Sequence, residues 1–313
     1  MHSSQLIISI YGMTMDRLQT MMVFVTVAEE VGFAAAARRL NMSPPSVTRA
    51  VSDLEERLGV RLLHRTTRSV TLTEEGVRYL DDCRRILNEI EEADQHAAGV
   101  HAAPSGNVSV TGSVMFGRLV LTPILLNLRD RYPEISVSTL FLDRIVHMID
   151  ENIDVAVRIA ELPDSSLIAT RVGSIQRVLC ASPDYLASHD RPLRPQDLSD
   201  HKIINFAHEA PRGEWVFHHE GSTYHFKVIS QLRFNIADAA IAAAVAGHGI
   251  TRVLSYMIAP QLESGALETV LEDFEPPAVP VHVIHKEAGG TSRRVRAVVD
   301  YLVENLRAEP MLN

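Results

Sequence analysis

Cysteine is nearly absent: Cys83 and Cys180 are the only two in 313 residues. Two are too few for a disulfide framework, and neither sits at a metal-ligand spacing, so the simplest home is a reducing cytoplasm with no bound metal. Long hydrophobic runs are also missing. The one early apolar stretch, Leu6–Ile10, is interrupted by Ser9 and is far shorter than a spanning helix, so neither an export signal nor a membrane segment is predicted. Catalytic signatures are missing as well: there is no G-x-S-x-G, G-x-x-x-x-G-K-[ST], H-E-x-x-H or C-x-x-C, and Gly247-His248-Gly249 lacks the third glycine of a dinucleotide fingerprint. An enzyme is therefore unsupported, and no cofactor is expected.

Positive charge is in deficit, with 30 Lys and Arg against 39 Asp and Glu and a net charge of -9. The deficit is not uniform. Between Phe33 and Val70 stand Arg38, Arg39, Arg49, Arg57, Arg61, Arg65 and Arg68, against only Asp53, Glu55 and Glu56. A basic segment on an acidic protein can hold DNA locally while the remaining surface suppresses indiscriminate binding. The apolar fraction of 46% is globular, and the length predicts at least two cores.

Leu18, Met21, Met22, Val25 and Ala28 recur at helical spacing until Gly32. Phe33, Ala36, Ala37 and Leu40 repeat the pattern in a short segment ending at Asn41, a residue that tolerates the left-handed conformation. Ser43 then caps a third helix that accepts Pro44 and Pro45 in its first turn, buries Val47, Val51, Leu54 and Leu58, and stops at Gly59. Its other face presents Pro45, Ser46, Thr48, Arg49 and Ser52, a surface suited to the major groove. Arg61–Leu72 reads as two strands around a turn at Thr66–Ser69, a wing with His64, Arg65 and Arg68 placed for phosphates or the minor groove. A long helix from Thr71 or Thr73 carries a coiled-coil-like seam at Leu80, Cys83, Leu87, Ile90, Asp94 and Ala97, which Asp94 shortens, and Ala102–Gly106 reads as a linker. Beyond Asn107 strands alternate with helices, including a helix near Ile145–Glu151, and a mostly parallel sheet with covering helices is predicted.

The run FAAAARRLNMSPPSVTRAVSDLEERLGVRLLHRTTRSVTLTEEG at Phe33–Gly76 resembles the winged helix-turn-helix of LysR-type transcription regulators. The resemblance continues through ASPDYLASH at Ala181–His189, P-x-x-P-x-D-L-x-x-H at Pro192–His201, Ala246–Ile250 and the terminal Arg-Val-Arg-Ala-Val-Val-Asp-Tyr-Leu, covering nearly everything after Met15. It implies an α/β architecture: a DNA-binding domain at 15–72, a linker and dimerisation helix at 73–103, and an effector domain at 107–313 resembling periplasmic binding proteins. Lobe I of that domain would span about 107–166 and 272–313, and lobe II about 167–271. The implied partners are a double-stranded operator, a small-molecule effector such as a small organic acid, further copies in a homodimer or homotetramer, and RNA polymerase. Gly32 and Ala34 stand where the family often has hydroxyl residues, and Leu63 where phenylalanine is common. Residues 1–14 have no family counterpart and are expected to be a tail or the product of an early start assignment.

Ser43, Pro44, Pro45, Ser46, Thr48, Arg49 and Ser52, with Arg65, Thr66 and Arg68, are the candidate DNA contacts, while Arg38 and Arg39 are expected merely to be exposed. Ligands of open α/β sheets bind beyond the carboxyl ends of strands, which selects Gly112, Ser113 and Val114 in one lobe and Phe206, Ala207 and His208 in the other. Asn235, Ile236 and Ala237 fall at a helix start that favours an anion. Arg158 is read either as aimed at an effector carboxylate or as a structural ion pair, and Arg252 either as an effector contact or as exposed. His218 and His219 would point to opposite faces of a strand, so a surface role is favoured over metal binding. A solute-binding protein is the alternative for the carboxy-terminal part alone; the helix-turn-helix argues against it.

Overall fold

The computed structural model describes residues 16–65, 70–97, 103–163, 167–206, 213–286 and 292–312. The chain divides into two units, Met1–Ala102 and Ala103–Asn313. In the first, α1 (Arg17–Glu29), α2 (Phe33–Arg39) and α3 (Pro44–Leu58) precede an antiparallel hairpin of β1 (Leu63–Arg65) and β2 (Val70–Leu72), and α4 (Glu74–Ala97) follows. Asn41 breaks from α2 at φ 56° and Gly59 ends α3 at φ 71°. Gly32, which precedes α2, supplies no side-chain cap.

Met21, Phe24 and Val27 of α1 pack with Ala36 and Ala37 of α2 and with Val47, Ala50, Val51 and Leu54 of α3. Leu80 and Cys83 of α4 join this same cluster, and Ile86 and Leu87 lie against it. The expected seam on α4 is therefore shorter than its spacing suggests. Its first two positions are spent inside the unit, because they face α1.

The second unit runs β3 (Gly106–Gly112), α5 (Val114–Phe116), a π-helical turn at Gly117–Leu121, α6 (Thr122–Arg131), β4 (Ile135–Phe141), β5 (Val155–Ile159) and β6 (Leu167–Ile175). It continues through β7 (Arg177–Ala181), α7 (Pro183–Ser188), β8 (Ile203–Phe206), β9 (Glu214–His219), β10 (Ser222–Lys227), β11 (Leu232–Phe234), α8 (Ala237–Val245), β12 (Ile250–Leu254), α9 (Ala259–Glu263) and β13 (Glu268–Val270). It closes with β14 (Val279–Lys286) and α10 (Arg293–Arg307). Two five-stranded sheets result, ordered β4-β3-β5-β14-β6 and β11-β8-β12-β7-β13, with β9 and β10 forming a separate hairpin.

Three expectations change here. The sheets are mixed rather than mostly parallel: β3 pairs parallel with β4 and β5, but β14 pairs antiparallel with β5 and β6. The first lobe extends past residue 166 to Ile175, because β6 closes its sheet against β14. The segment 145–151 is turns rather than a helix, and buries Val146 and Met148 with Ile153, Ala156 and Ile284.

Gly249 sits at φ +145°, where a side chain is strained, and a Cβ there would collide with the Lys202 carbonyl. Gly249→Ala should destabilise the second unit by more than about 1 kcal/mol, read as a lowered thermal transition. An unchanged melting curve would contradict the tight approach of β12 to Lys202.

Candidate nucleic-acid interface and effector cleft

The geometry of α3 follows from its two ends and its buried stripe. Ser43 Oγ accepts from Ser46 N at 3.3 Å and lies 2.7 Å from Ser46 Oγ, while Thr48 Oγ1 donates to Pro44 O at 3.0 Å. With Val47, Ala50, Val51 and Leu54 buried, Pro44, Pro45, Ser46, Thr48 and Arg49 are left exposed and Ser52 half-buried. The hydroxyls are thus engaged with their own helix, and Arg49 is the long cation on this face, with no partner among the described residues.

Arg39 is not simply exposed. It bridges Glu29 at 3.2 Å and Glu30 at 3.0 Å, and Glu29 also receives Arg84 of α4 at 3.2 Å. Arg38 does remain exposed. Arg65 contributes its backbone to β1, while Thr66 and Arg68 lie outside the described residues.

In the second unit Gly112 ends β3, and Ser113 and Val114 follow it. Sequence reasoning missed Asp143, just after β4, whose Oδ1 accepts from Val114 N at 3.0 Å. Ser113 Oγ is buried and has no hydrogen-bond partner among the described residues. Phe206 ends β8 in the core at 4% exposure; Ala207 and His208 lie outside the described residues. Asn235 and Ile236 are exposed before α8, which starts at the buried Ala237 with no side-chain cap.

Two contacts join the lobes near these positions. Phe116 stands edge-on to Tyr256 at 5.4 Å between ring centroids, and Arg118 reaches Asp238, in the first turn of α8, at 2.7 Å. These contacts tie the segment after Ser113 to the first turn of α8 and to Tyr256.

Two arginines lie elsewhere. Arg158 donates to Val146 O at 3.2 Å, among the turns that follow β4, and burial pushes its pKa down. Arg252 is 5% exposed, so the exposed reading is ruled out. It lies 5.3 Å over the Trp215 ring and donates to Val216 O at 3.4 Å, beneath the β9–β10 hairpin.

His219 stacks on Phe274 at 4.5 Å and donates to Asp273 O at 3.0 Å, and His225 lies 3.6 Å from Glu214. Among the described residues no group of three or more His, Cys, Asp or Glu is placed to hold a metal ion. Likewise, no described helix is long and apolar enough to cross a membrane.

A helix-turn-helix with an adjoining hairpin, followed by a two-lobed α/β unit built on two five-stranded sheets, is the architecture of a ligand-responsive DNA-binding regulator. Residues 18–77 match the bacterial regulatory helix-turn-helix protein, lysR family, and residues 101–307 match the LysR substrate binding domain. The chain belongs to the LysR family of transcription regulators, whose members are regulators rather than enzymes. An HTH-type transcriptional repressor of Pseudomonas aeruginosa is 36% identical over 298 residues, covering 95% of this chain and 94% of that one. The Escherichia coli transcriptional regulator DmlR is 33% identical over 286 residues, covering 91% and 93%. The solved structure of CrgA, a LysR-type regulator from Neisseria meningitidis, matches with a TM-score of 0.59 at 31% identity, covering 92% of this chain and 98% of that one.

Both cysteines are buried and unpaired. Burial disfavours the thiolate, pushing Cys83 up to about 11 and Cys180 to about 12. At pH 8 roughly one thiol in a thousand or fewer is ionised, so a thiol reagent should find no fast-reacting group in the folded protein and two after denaturation. Rapid labelling of the native chain would refute this.

Proposed function

We propose that copies of this chain, assembled as a homodimer or homotetramer in the cytoplasm, read an imperfect inverted repeat through paired α3 helices. Residues 15–72 act as the reader, 73–103 as the pairing linker and 107–313 as the effector domain. The observation that carries this reading is the exposed face of α3, where Arg49 has no partner among the described residues and stands beside small groups on a helix whose opposite face is buried. Half-site spacing then follows from the symmetry of the assembly.

The effector, a small organic acid in this reading, enters the cleft between Ser113 and the start of α8. Asp143 already satisfies the Val114 amide, which leaves the uncapped α8 start and Ser113 Oγ to receive the ligand. The effector favours one quaternary arrangement on DNA over another, and contact with RNA polymerase completes the regulatory output. In this reading a second copy docks along the groove of about 570 Å³ lined by Met115, Arg118, Leu119, Asp238, Ile241 and Val245.

Genome-wide DNA protection by the purified protein, at one fixed salt concentration, tests the reading against an Arg49→Ala, Arg65→Ala variant. Discrete dyad-containing sites are expected for the wild type and lost in the variant. Arg49→Ala alone should cost roughly 1–3 kcal/mol and relax one base position if it reads a guanine. Wild-type protection without discrete sites would overturn the proposal.

A further inference from the structure

The segment joining α3 to the hairpin is held from two sides. After Gly59 turns left-handed, the chain returns beside the last turns of α3 and brings two amides to Glu55. Glu55 Oε1 accepts from Leu62 N at 2.8 Å and from Leu63 N at 3.1 Å. On the other side, Thr73 Oγ1 donates to Arg61 O at 2.8 Å and accepts the Gly76 amide at 2.9 Å, capping the start of α4. Thr73 N donates to Leu62 O at 3.0 Å, and a Cβ on Gly76 would collide with that carbonyl. The side chains of Leu62 and Leu63 are each 1% exposed in the core. The root of the hairpin thus gives its amides to α3 and its carbonyls to the α4 cap.

We infer that Glu55 is a positioning residue for DNA reading: by clamping the hairpin root onto α3, it sets the angle of the wing against the groove-facing helix without meeting DNA itself. Its Oε1 is already taken by two backbone amides, so in this proposal Glu55 acts on the hairpin and not on DNA. Bonds to an ionised acceptor are the stronger kind, and two of them on one oxygen fix the direction of the chain as β1 begins. Arg65 follows Leu63 by two residues, so the clamp governs where the backbone of β1 carries it. Specific binding needs helix and wing in register at once, whereas non-specific binding depends on how many charges meet phosphate.

The test uses the full-length protein and a duplex selected by the wild type from a random pool, with a shuffled duplex as control. Glu55→Ala should weaken binding to the selected duplex about tenfold or more, with shuffled-duplex affinity and salt slope unchanged. Hydroxyl-radical protection should disappear at the flanks and persist under α3. Glu55→Gln should recover most of the loss, because its amide oxygen can accept the same two bonds. Unchanged affinity and flank protection in Glu55→Ala, or a Glu55→Gln variant as impaired as Glu55→Ala, overturns the proposal. If Glu55→Ala does not fold, Glu55→Asp carries the same test: it keeps the charge but shortens the reach, so flank protection should be lost, and full protection overturns the clamp.

Discussion

Burial of one stripe of α3 is the constraint on which the DNA-reading surface rests. Val47, Ala50, Val51 and Leu54 must face α1, α2 and α4, and each large aliphatic side chain so buried contributes about 1.5–3 kcal/mol. Turning α3 by one residue about its axis would carry these groups into water and press Arg49 toward the core, where an uncompensated charge is costly. The azimuth of Arg49 is therefore set by the opposite side of its own helix. Pro44 and Pro45 fix where that helix begins, since neither can donate within a helix interior, and the Ser43 cap agrees with them.

Charge on the first unit is more selective than a count of arginines suggests. Arg39 and Arg84 are held by Glu29 and Glu30, so two of the cations near the helix-turn-helix serve to tie α1, α2 and α4 together. Exposed pairs of this kind add little stability individually. Their consequence is electrostatic focus: these two cations are neutralised locally, while Arg49 stands outward on the Pro44–Ser52 face of α3, on an otherwise acidic chain that gains little from indiscriminate contact with phosphate.

Legibility from sequence followed the range of the interactions. Asn41, Ser43, Pro44, Pro45 and Gly59 act within a few residues of themselves, and the helices they delimit could be read directly. The strand β6 could not. It joins the first sheet through β14, more than a hundred residues later, and its alternation is weak because Ile168 and Ala169 are both exposed. The turns at 145–151 resemble a helix in their apolar spacing, yet Ile145 and Ile149 are exposed while Val146 and Met148 are buried, and Arg158 donates to the Val146 carbonyl. Glu55 and Asp143 were likewise invisible as functional groups. Each meets an amide that only a chain reversal brings near, and a carboxylate on a basic segment reads as ordinary solvated charge. Arg252 was recognisable as unusual in a strand, but its seat against Trp215 depends on a hairpin folded over the sheet.

The packing of the second unit bears on how a bound effector could be felt. One continuous apolar cluster takes in Val108, Phe116 and Leu121 of the first lobe together with Ile204, Ala240 and Tyr256 of the second. Arg118 and Asp238 bridge the same boundary. Wide opening of the lobes would have to break that cluster, losing apolar burial worth about 25 cal/mol for each Å² exposed. A small ligand at the Ser113 lip has few atoms with which to offset such a loss. Under the proposed reading, the cheaper response is a slight shift of the α5 and α8 helix starts, passed on by bistable contacts between copies rather than by a hinge within one. The regulatory signal then lies in the assembly: the effector selects among arrangements of whole subunits, and the spacing of paired α3 helices converts that selection into a change on DNA.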